Sequence, residues 1–132
     1  MKRGLIHHIE IYVSDFERST DFWGWLLESL GYCVHQQWEL GMSWKLGDTY
    51  LVFVQTEDRY LDVAYHRKRT GLNHLAFYAD SREHVDQLTQ QLKGQGVTVL
   101  YEDDHPYAGG DSHYAVYFED PDRMKVEVVA PE

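Results

Sequence analysis

The chain has 132 residues, of which 43% are hydrophobic, and its formal net charge is −10 at pH 7. This length predicts a single domain, 1–132, with an apolar core, and the negative charge opposes binding to nucleic acid or to an anionic membrane surface. The apolar runs are far shorter than the roughly 20 residues that span a bilayer, and no signal region follows Lys2 and Arg3. A single cysteine, Cys33, excludes an internal disulfide and suits a reducing compartment, so we expect a cytoplasmic protein.

The first predicted unit covers about residues 4–56. Its opening strand, 5–13, alternates between an apolar face and a more polar face, and the polar face carries His8, Glu10 and Tyr12. A capping box at 14–17, with Ser14 as the capping residue, predicts the start of a helix that ends near Gly31. Three strands follow, over 32–40, 42–46 and 49–56. The unit therefore has the order β-α-β-β-β.

The predicted connector between the units covers 57–71 and shows no sustained period. Its segment 66–69, His-Arg-Lys-Arg, concentrates positive charge in an otherwise acidic chain. Such a run is usually a solvated loop, and we favour that interpretation. Near a binding site, the same run can also hold an anionic group of a substrate.

The second predicted unit, about 72–130, repeats the order of the first. A strand that contains His74 leads into a second capping box, 80–83, and a helix that ends at Gly94 or Gly96. A strand over 97–102 is followed by a loop, 103–111, that is rich in residues that interrupt regular structure. Two strands, 112–119 and 124–129, complete the unit.

The two opening strands carry matching histidines. When residues 71–80 are aligned with 5–14, His74 falls on His8, and in both copies the histidine enters an alternating strand that leads to a helix start. A similarity at a fixed offset indicates duplication of one supersecondary unit. We therefore predict two similar halves, each with one histidine at the same position.

A carboxylate in the last strand completes a candidate metal site. Glu127 alternates with Val126 and Val128, so it lies on the face opposite an aliphatic pair. Each of His8, His74 and Glu127 taken alone is more often a structural residue than a ligand. The repeat links them, because two imidazoles and one carboxylate that converge form a facial triad for a divalent metal with open positions for a substrate.

Three segments, 8–15, 71–77 and 117–122, together with Glu127, resemble the vicinal oxygen chelate superfamily. This superfamily includes glyoxalase I, bleomycin-resistance proteins, fosfomycin-resistance proteins and extradiol dioxygenases, and the resemblance covers nearly the whole chain. It implies an α+β fold in which tandem βαβββ units form an open, curved mixed sheet with helices on the outer face. It also implies one divalent metal ion, with Zn, Mn, Fe and Ni not distinguished.

The resemblance assigns the metal ligands to His8, His74 and Glu127. The chain departs from glyoxalase I in the last strand of the first unit, where that enzyme has a glutamate that binds metal and moves protons. Here the strand offers only Gln55, which disfavours glyoxalase I itself. The ligand pattern resembles that of fosfomycin-resistance transferases and extradiol dioxygenases instead. Arg123 also stands where the family has a glycine.

Further candidates follow from strand parity and from the resemblance. Tyr117 and His113 are candidate proton donors or anion ligands, although ordinary cross-strand packing and a surface histidine explain them equally well. A second set of side chains is predicted to line a substrate cleft: Glu10, Tyr12, Trp44, Gln55 and Tyr78. The loop 105–110 is a candidate lid over that cleft, because the Gly109-Gly110 pair allows hinge motion.

Three functions are compatible with the sequence. The favoured one is a metal-dependent enzyme that acts on a small oxygenated substrate through Lewis-acid chemistry. The second is a binding protein of the bleomycin-resistance type, whose acidic charge suits a cationic drug. The third is a structural dimer module, with Trp25 and Trp38 as candidate interface residues. The sequence leaves open whether the units assemble within one chain or between two chains of a homodimer.

Overall fold

The computed structural model describes all 132 residues. The chain forms two compact units, Met1–Ala64 and Tyr65–Glu132, called unit 1 and unit 2 below, and their boundary lies inside the predicted connector. Unit 1 contains β1 (His8–Val13), α1 (Phe16–Ser29), β2 (Cys33–Trp38), β3 (Gly41–Leu46) and β4 (Thr49–Gln55), followed by a single 3₁₀ turn at Asp58–Tyr60. Unit 2 contains β5 (His74–Tyr78), α2 (Arg82–Gly94), β6 (Val99–Leu100), β7 (Ala115–Glu119) and β8 (Lys125–Val129).

Each unit has one open, four-stranded mixed sheet, and the two sheets have matching strand orders. The orders are β1-β4-β3-β2 and β5-β8-β7-β6. In both sheets the first and last strands of the unit pair in parallel, and the remaining pairs are antiparallel. The α+β class and the tandem βαβββ order predicted from the sequence are therefore confirmed. Neither helix is long and apolar enough to cross a membrane.

Both helices begin one residue later than their predicted capping boxes. Asp15, rather than Ser14, caps α1, and its Oδ1 accepts a hydrogen bond from the Arg18 amide at 3.2 Å. Ser81 caps α2, and its hydroxyl accepts from the His84 amide at 3.1 Å. Each of these side chains satisfies an amide that has no partner inside its helix. The two helices therefore start shortly after β1 and β5, the strands that carry His8 and His74.

The helix of each unit buries its apolar stripe against one face of its own sheet. In unit 1, Trp23 of α1 stacks on Phe53 of β4 at 4.9 Å between ring centroids. Gly24 permits close approach to β3, since a Cβ there would lie 3.1 Å from the Trp44 ring. In unit 2, the buried stripe of α2 is matched by fully buried Val126 and Val128 of β8. The opposite face of each sheet is therefore the one available to bind a ligand.

Unit 2 has a longer irregular segment than the sequence predicted. The strand expected over 97–102 is reduced to Val99–Leu100, and the strand expected from residue 112 begins at Ala115. Tyr101, which has a left-handed φ of 56°, ends the short strand. The segment from Tyr101 to Tyr114 is called the 101–114 loop below.

Candidate functional site

Three rows of side chains cross the sheet of unit 2 on the face opposite α2. The register of β5, β8 and β7 fixes their members. The rows are His74, Lys125 and Glu119; then Ala76, Glu127 and Tyr117; then Tyr78, Val129 and Ala115. Residues directly opposite each other in a sheet share a face. Glu127 therefore occupies the centre of this face, directly opposite Tyr117 and one row away from His74.

The carboxylate of Glu127 is buried and contacts two imidazoles. Its side chain is only 5% exposed, its Oε1 lies 3.1 Å from Nε2 of His74, and its Oε2 lies 2.5 Å from Nε2 of His113. A buried carboxylate is destabilised unless hydrogen bonds or a cation compensate for the lost hydration. The geometry therefore brings together three of the predicted site residues within unit 2.

Each ring nitrogen of His74 contacts a polar group: Nδ1 faces Asn73 and Nε2 faces Glu127. The Asn73 amide nitrogen points to the Arg67 carbonyl at 3.5 Å, which turns Asn73 Oδ1 toward Nδ1 of His74 at 2.8 Å. When Nδ1 carries the only ring proton and donates it to Asn73, Nε2 presents its lone pair to the Glu127 carboxylate. Two acceptor atoms in contact need a shared cation, either a proton or a metal ion.

The donor chemistry of this pair fits a divalent metal. Imidazole nitrogen and carboxylate oxygen are common ligands of Zn and of other first-row metals. Bond lengths of about 2.0–2.2 Å to each atom are compatible with a donor separation of 3.1 Å. As the side chains stand, no three His, Cys, Asp or Glu residues form a group that could hold a metal ion. His74 and Glu127 thus offer two donor atoms of the kinds that a divalent metal binds.

Tyr117 lies directly opposite Glu127 and acts on the same carboxylate. Burial, the charge of Glu127 and a hydrogen bond to that carboxylate, in that order, raise the pKa of Tyr117 to about 12. The phenol therefore keeps its proton at neutral pH and donates it to Glu127 in a hydrogen bond. A group with this pKa is a poor proton shuttle and a good fixed donor.

The 101–114 loop packs tightly onto His113 and Tyr117. At Gly109, a Cβ would lie 2.5 Å from Cδ2 of His113 and 2.7 Å from the Tyr117 hydroxyl. Arg82 of α2 also contacts the loop, with Nη1 at 3.4 Å from the Tyr107 hydroxyl. The segment predicted as a lid, 105–110, is therefore attached to the site and to α2, and its glycine serves close packing.

A cavity of about 680 Å³ adjoins Glu127. Its lining includes Ala76, Tyr78, His113 and Val129, so it extends from the middle row of the sheet to the last row. The predicted cleft residue Tyr78 lines this cavity. The space is large enough for a small organic molecule beside the carboxylate.

The predicted residues of unit 1 lie on the corresponding face of its own sheet. His8, Glu10 and Tyr12 are exposed on β1. His8 stacks on Tyr50 with ring centroids 4.7 Å apart and planes 4° from parallel. Its Nδ1 lies 2.8 Å from Nδ1 of His7. The first-strand histidine of unit 1 thus contacts the rings of Tyr50 and His7, whereas that of unit 2 contacts the polar side chains of Asn73 and Glu127.

The structure removes Trp44 and Gln55 from the predicted cleft. Trp44 is 1% exposed and packs toward α1, because Met42, Trp44 and Leu46 form the apolar side of β3. The Gln55 amide is held by the backbone: it accepts from the Phe16 amide at 2.8 Å and donates to the Ser14 carbonyl at 2.9 Å. Gln55 therefore joins β4 to the start of α1 and has no free group for a substrate.

Three residues at this face were missed by sequence reasoning. Asn73 orients His74, Gly109 packs against His113, and Lys125 lies beside His74 in the first row. Lys125 shares the parity of Glu127, so the alternation of the last strand already contained that signal. The roles of Asn73 and Gly109 depend on contacts across the sheet and the loop, which a single sequence does not reveal.

Comparisons with known proteins show the family to which the chain is similar. Residues 5–128 match the family model described as Glyoxalase/Bleomycin resistance protein/Dioxygenase superfamily. The chain is 59% identical over 126 residues to the uncharacterized protein YqjT of Bacillus subtilis (strain 168), covering 96% of this chain and 98% of YqjT. It is 28% identical over 123 residues to glutathione transferase FosA of Serratia marcescens, covering 93% and 78% of the two chains.

Two solved structures illustrate the range of similarity. A candidate glyoxalase from Bacillus halodurans superposes with a TM-score of 0.97 at 62% identity, covering 98% of both chains. Lactoylglutathione lyase from Agrobacterium tumefaciens superposes with a TM-score of 0.67 at 21% identity, covering 98% of this chain and 96% of that one. The second likeness concerns the fold alone.

Proposed function

Because the chain belongs to the Glyoxalase/Bleomycin resistance protein/Dioxygenase superfamily, we propose that it is a divalent-metal-dependent enzyme acting on a small oxygenated substrate. The observation that carries the proposal is the contact between Nε2 of His74 and the buried carboxylate of Glu127 at 3.1 Å. In this proposal Asn73 accepts from Nδ1 of the imidazole, and a metal ion is the cation shared by Nε2 and the carboxylate. His8 of unit 1 is the proposed third ligand, as predicted from the repeat.

In this proposal the metal supplies Lewis-acid stabilisation of charge on a chelated substrate oxygen when it is bound. The residues of the chain have separate tasks. His74 and Glu127 hold the ion, while His113 and Tyr117 fix the carboxylate through its hydrogen bonds. Second-sphere partners of this kind orient a ligand and tune its basicity. The adjoining cavity holds the organic part of the substrate.

Group transfer is the favoured reaction class. Val52 of β4 occupies the position that Glu127 occupies in β8, so unit 1 lacks the carboxylate that the resemblance assigns to glyoxalase I. Without that base, abstraction of a carbon-bound proton is disfavoured. The similarity to glutathione transferase FosA supports transfer of a thiol to the substrate instead. A dioxygenase reaction uses the same ligand types and is the next candidate.

Metal titration tests the proposal. Chelator-treated protein is titrated calorimetrically with Mn²⁺ and Zn²⁺, and protein purified without chelator is analysed for its metal content. We expect one ion per chain. His74→Ala and Glu127→Gln should each weaken metal binding more than about 100-fold, which exceeds the loss expected when a residue that only hydrogen-bonds to a ligand is replaced. His84→Gln in α2 is the matched control and keeps full affinity. A wild type without divalent metal, and variants indistinguishable from it, would refute the enzyme proposal.

The net charge of −10 favours one alternative, a metal-independent binder of cationic drugs. The two proposals differ in their response to chelation. The binder retains affinity for a cationic glycopeptide such as bleomycin after the metal is removed, and the enzyme does not bind it. Calorimetry with chelator-treated protein distinguishes them.

A further inference from the structure

Lys125 is a cation placed beside the proposed metal ligands. It is the first residue of β8, and the sheet register sets it between His74 of β5 and Glu119 of β7. Its side chain lies on the same face as Glu127, two residues along the strand. The chain has a net charge of −10, yet this face carries a lysine next to the proposed metal ligands.

The carboxylate opposite Lys125 is bound elsewhere. Oε2 of Glu119 lies 3.2 Å from Nη1 of Arg67 and 2.9 Å from Nε of Arg123. The Glu119 side chain is only 10% exposed, and that of Arg67 only 17%. Two guanidinium groups therefore satisfy the carboxylate that would otherwise pair with Lys125. Arg67 of the basic segment 66–69, and Arg123, which stands where the family has a glycine, therefore both serve to pair with Glu119.

The Lys125 ammonium is held in position without being neutralised. Nζ lies 3.3 Å from the Tyr101 hydroxyl and lies over the rings of Tyr101 and Tyr117, at 5.5 and 5.7 Å from their centroids. No carboxylate comes within ion-pair distance of it in the structure. An ammonium has three donors, and ring faces orient the charge but accept no full hydrogen bond. Donor capacity and charge both remain available.

We propose that Lys125 binds an oxyanion group of the substrate, a carboxylate or a phosphate, beside the proposed metal ligands. This inference rests on the proposed function, because only an enzyme would bind the anion as part of its substrate. The overall negative charge repels anions, so an anionic substrate needs a local cation at the face where it binds. A lysine acts as a point charge for such groups, and Tyr101 and Tyr117 fix where that charge is presented.

A structural role is the competing explanation for Lys125. In that view its ammonium only fastens Tyr101, the residue with a left-handed φ that begins the 101–114 loop. Loss of Lys125 would then lower stability and leave anion binding unchanged. The two explanations therefore predict different results in a binding measurement.

The test uses two small anions and a neutral isostere as probes. Binding of trifluoroacetate and trifluoroacetamide is followed by ¹⁹F NMR, and binding of inorganic phosphate by ³¹P NMR, with both chelator-treated and Zn²⁺-loaded protein. The variants are Lys125→Met, Lys125→Gln and Lys125→Arg, and the matched control is Lys68→Met in the connector. Thermal unfolding of each variant shows whether it is folded.

We expect the wild type to bind at least one anion more tightly than the amide, and Lys125→Met or Lys125→Gln to weaken that binding about tenfold or more. Lys125→Arg keeps most of the affinity, and Lys68→Met keeps all of it. A wild type that binds neither anion in either form overturns the proposal, as does a folded Lys125→Met variant that matches Lys68→Met. Failure of the metal proposal is seen separately, in the Mn²⁺ and Zn²⁺ titrations.

Discussion

The sheets of units 1 and 2 have the same framework and different centres. His8 and His74 are matched in three dimensions, because each begins the first strand of its unit and pairs with the last strand. In the last strand, the residue two positions beyond the partner of this histidine is Val52 in unit 1 and Glu127 in unit 2, and we call this the central position. The duplicated framework thus keeps its histidine in both copies and its carboxylate in one.

The neighbours of the central position differ in the same direction. Ser43 lies opposite Val52. Its buried hydroxyl accepts a hydrogen bond from the backbone N–H of Gln36, next to the β-bulge in β2. In unit 2 the equivalent residue is Tyr117, which donates to Glu127. The polar group in unit 1 therefore supports its own sheet, whereas that in unit 2 supports a carboxylate.

The first row shows a third difference. Tyr50 stands in unit 1 where Lys125 stands in unit 2. Tyr50 stacks on His8 and also contacts His35, the residue that the bulge in β2 leaves without a cross-strand partner. Unit 1 thus surrounds its histidine with rings, and unit 2 sets a charge beside its histidine. The position beside the first-strand histidine is therefore aromatic in unit 1 and cationic in unit 2.

The largest expected effect comes from giving unit 1 the carboxylate of unit 2. Val52 is 3% exposed, so Val52→Glu buries a charge with no donor arranged for it. We expect a loss of at least about 3 kcal/mol in the free energy of unfolding, measured by urea denaturation without metal. Val54→Glu, on the same face but partly exposed, is the control and loses less than half as much. Equal losses would mean that the central position is not special.

The next effect compares His8, the proposed third ligand, with His113. We expect His8→Ala to weaken Mn²⁺ binding more than about 100-fold, and His113→Ala to weaken it about tenfold, because His113 contacts the second oxygen of Glu127 and orients it. Calorimetric titration of both variants measures the ranking. The reverse order would assign the third ligand to unit 2 and leave His8 with a packing role on Tyr50.

A substitution at Gly109 tests how the 101–114 loop of unit 2 packs onto His113 and Tyr117. Gly109→Ala introduces a Cβ within 3 Å of His113 and Tyr117, at a backbone conformation that does not require glycine. We expect a loss of about 1–3 kcal/mol in unfolding free energy, together with weaker Mn²⁺ binding. Gly94→Ala at the end of α2 meets no atom within 4 Å and is the control. Unchanged metal affinity in Gly109→Ala would separate the loop from the site.

The smallest expected effect concerns Tyr117 and pH. Its pKa is raised from 10.0 to about 12 in the folded chain, so the protonated phenol stabilises the fold fully below pH 10 and this contribution is lost as the pH rises through 12. Tyr117→Phe should lower the unfolding free energy by about 1 kcal/mol at pH 8. The difference from wild type should shrink as the pH rises above 10 and reverse before pH 12, measured by urea denaturation across that range. A difference independent of pH would indicate packing alone.

The faces of the strands were predictable where local alternation decided them. His8, Glu10 and Tyr12 were assigned to one face of β1, and all three are exposed. The same rule failed for Trp44, because an aromatic residue suits a cleft as well as a core, and only the packing of α1 over β3 distinguishes the two. Gln55 was assigned by its polarity, yet the helix start that needs its amide lies 39 residues away in sequence.

The sequence by itself determined the repeat, the fold class and the equivalent positions of His8 and His74 in the two units. These depend on period-two alternation and on a duplication that is visible along the chain. Only the tertiary structure decided what surrounds Glu127. The contacts of His113, Tyr117 and Gly109 with this site, and the capture of Glu119 by Arg67 that leaves Lys125 unpaired, depend on strand register and loop packing. Such contacts join residues far apart in the chain, and their energies depend on burial that exists only in the folded protein.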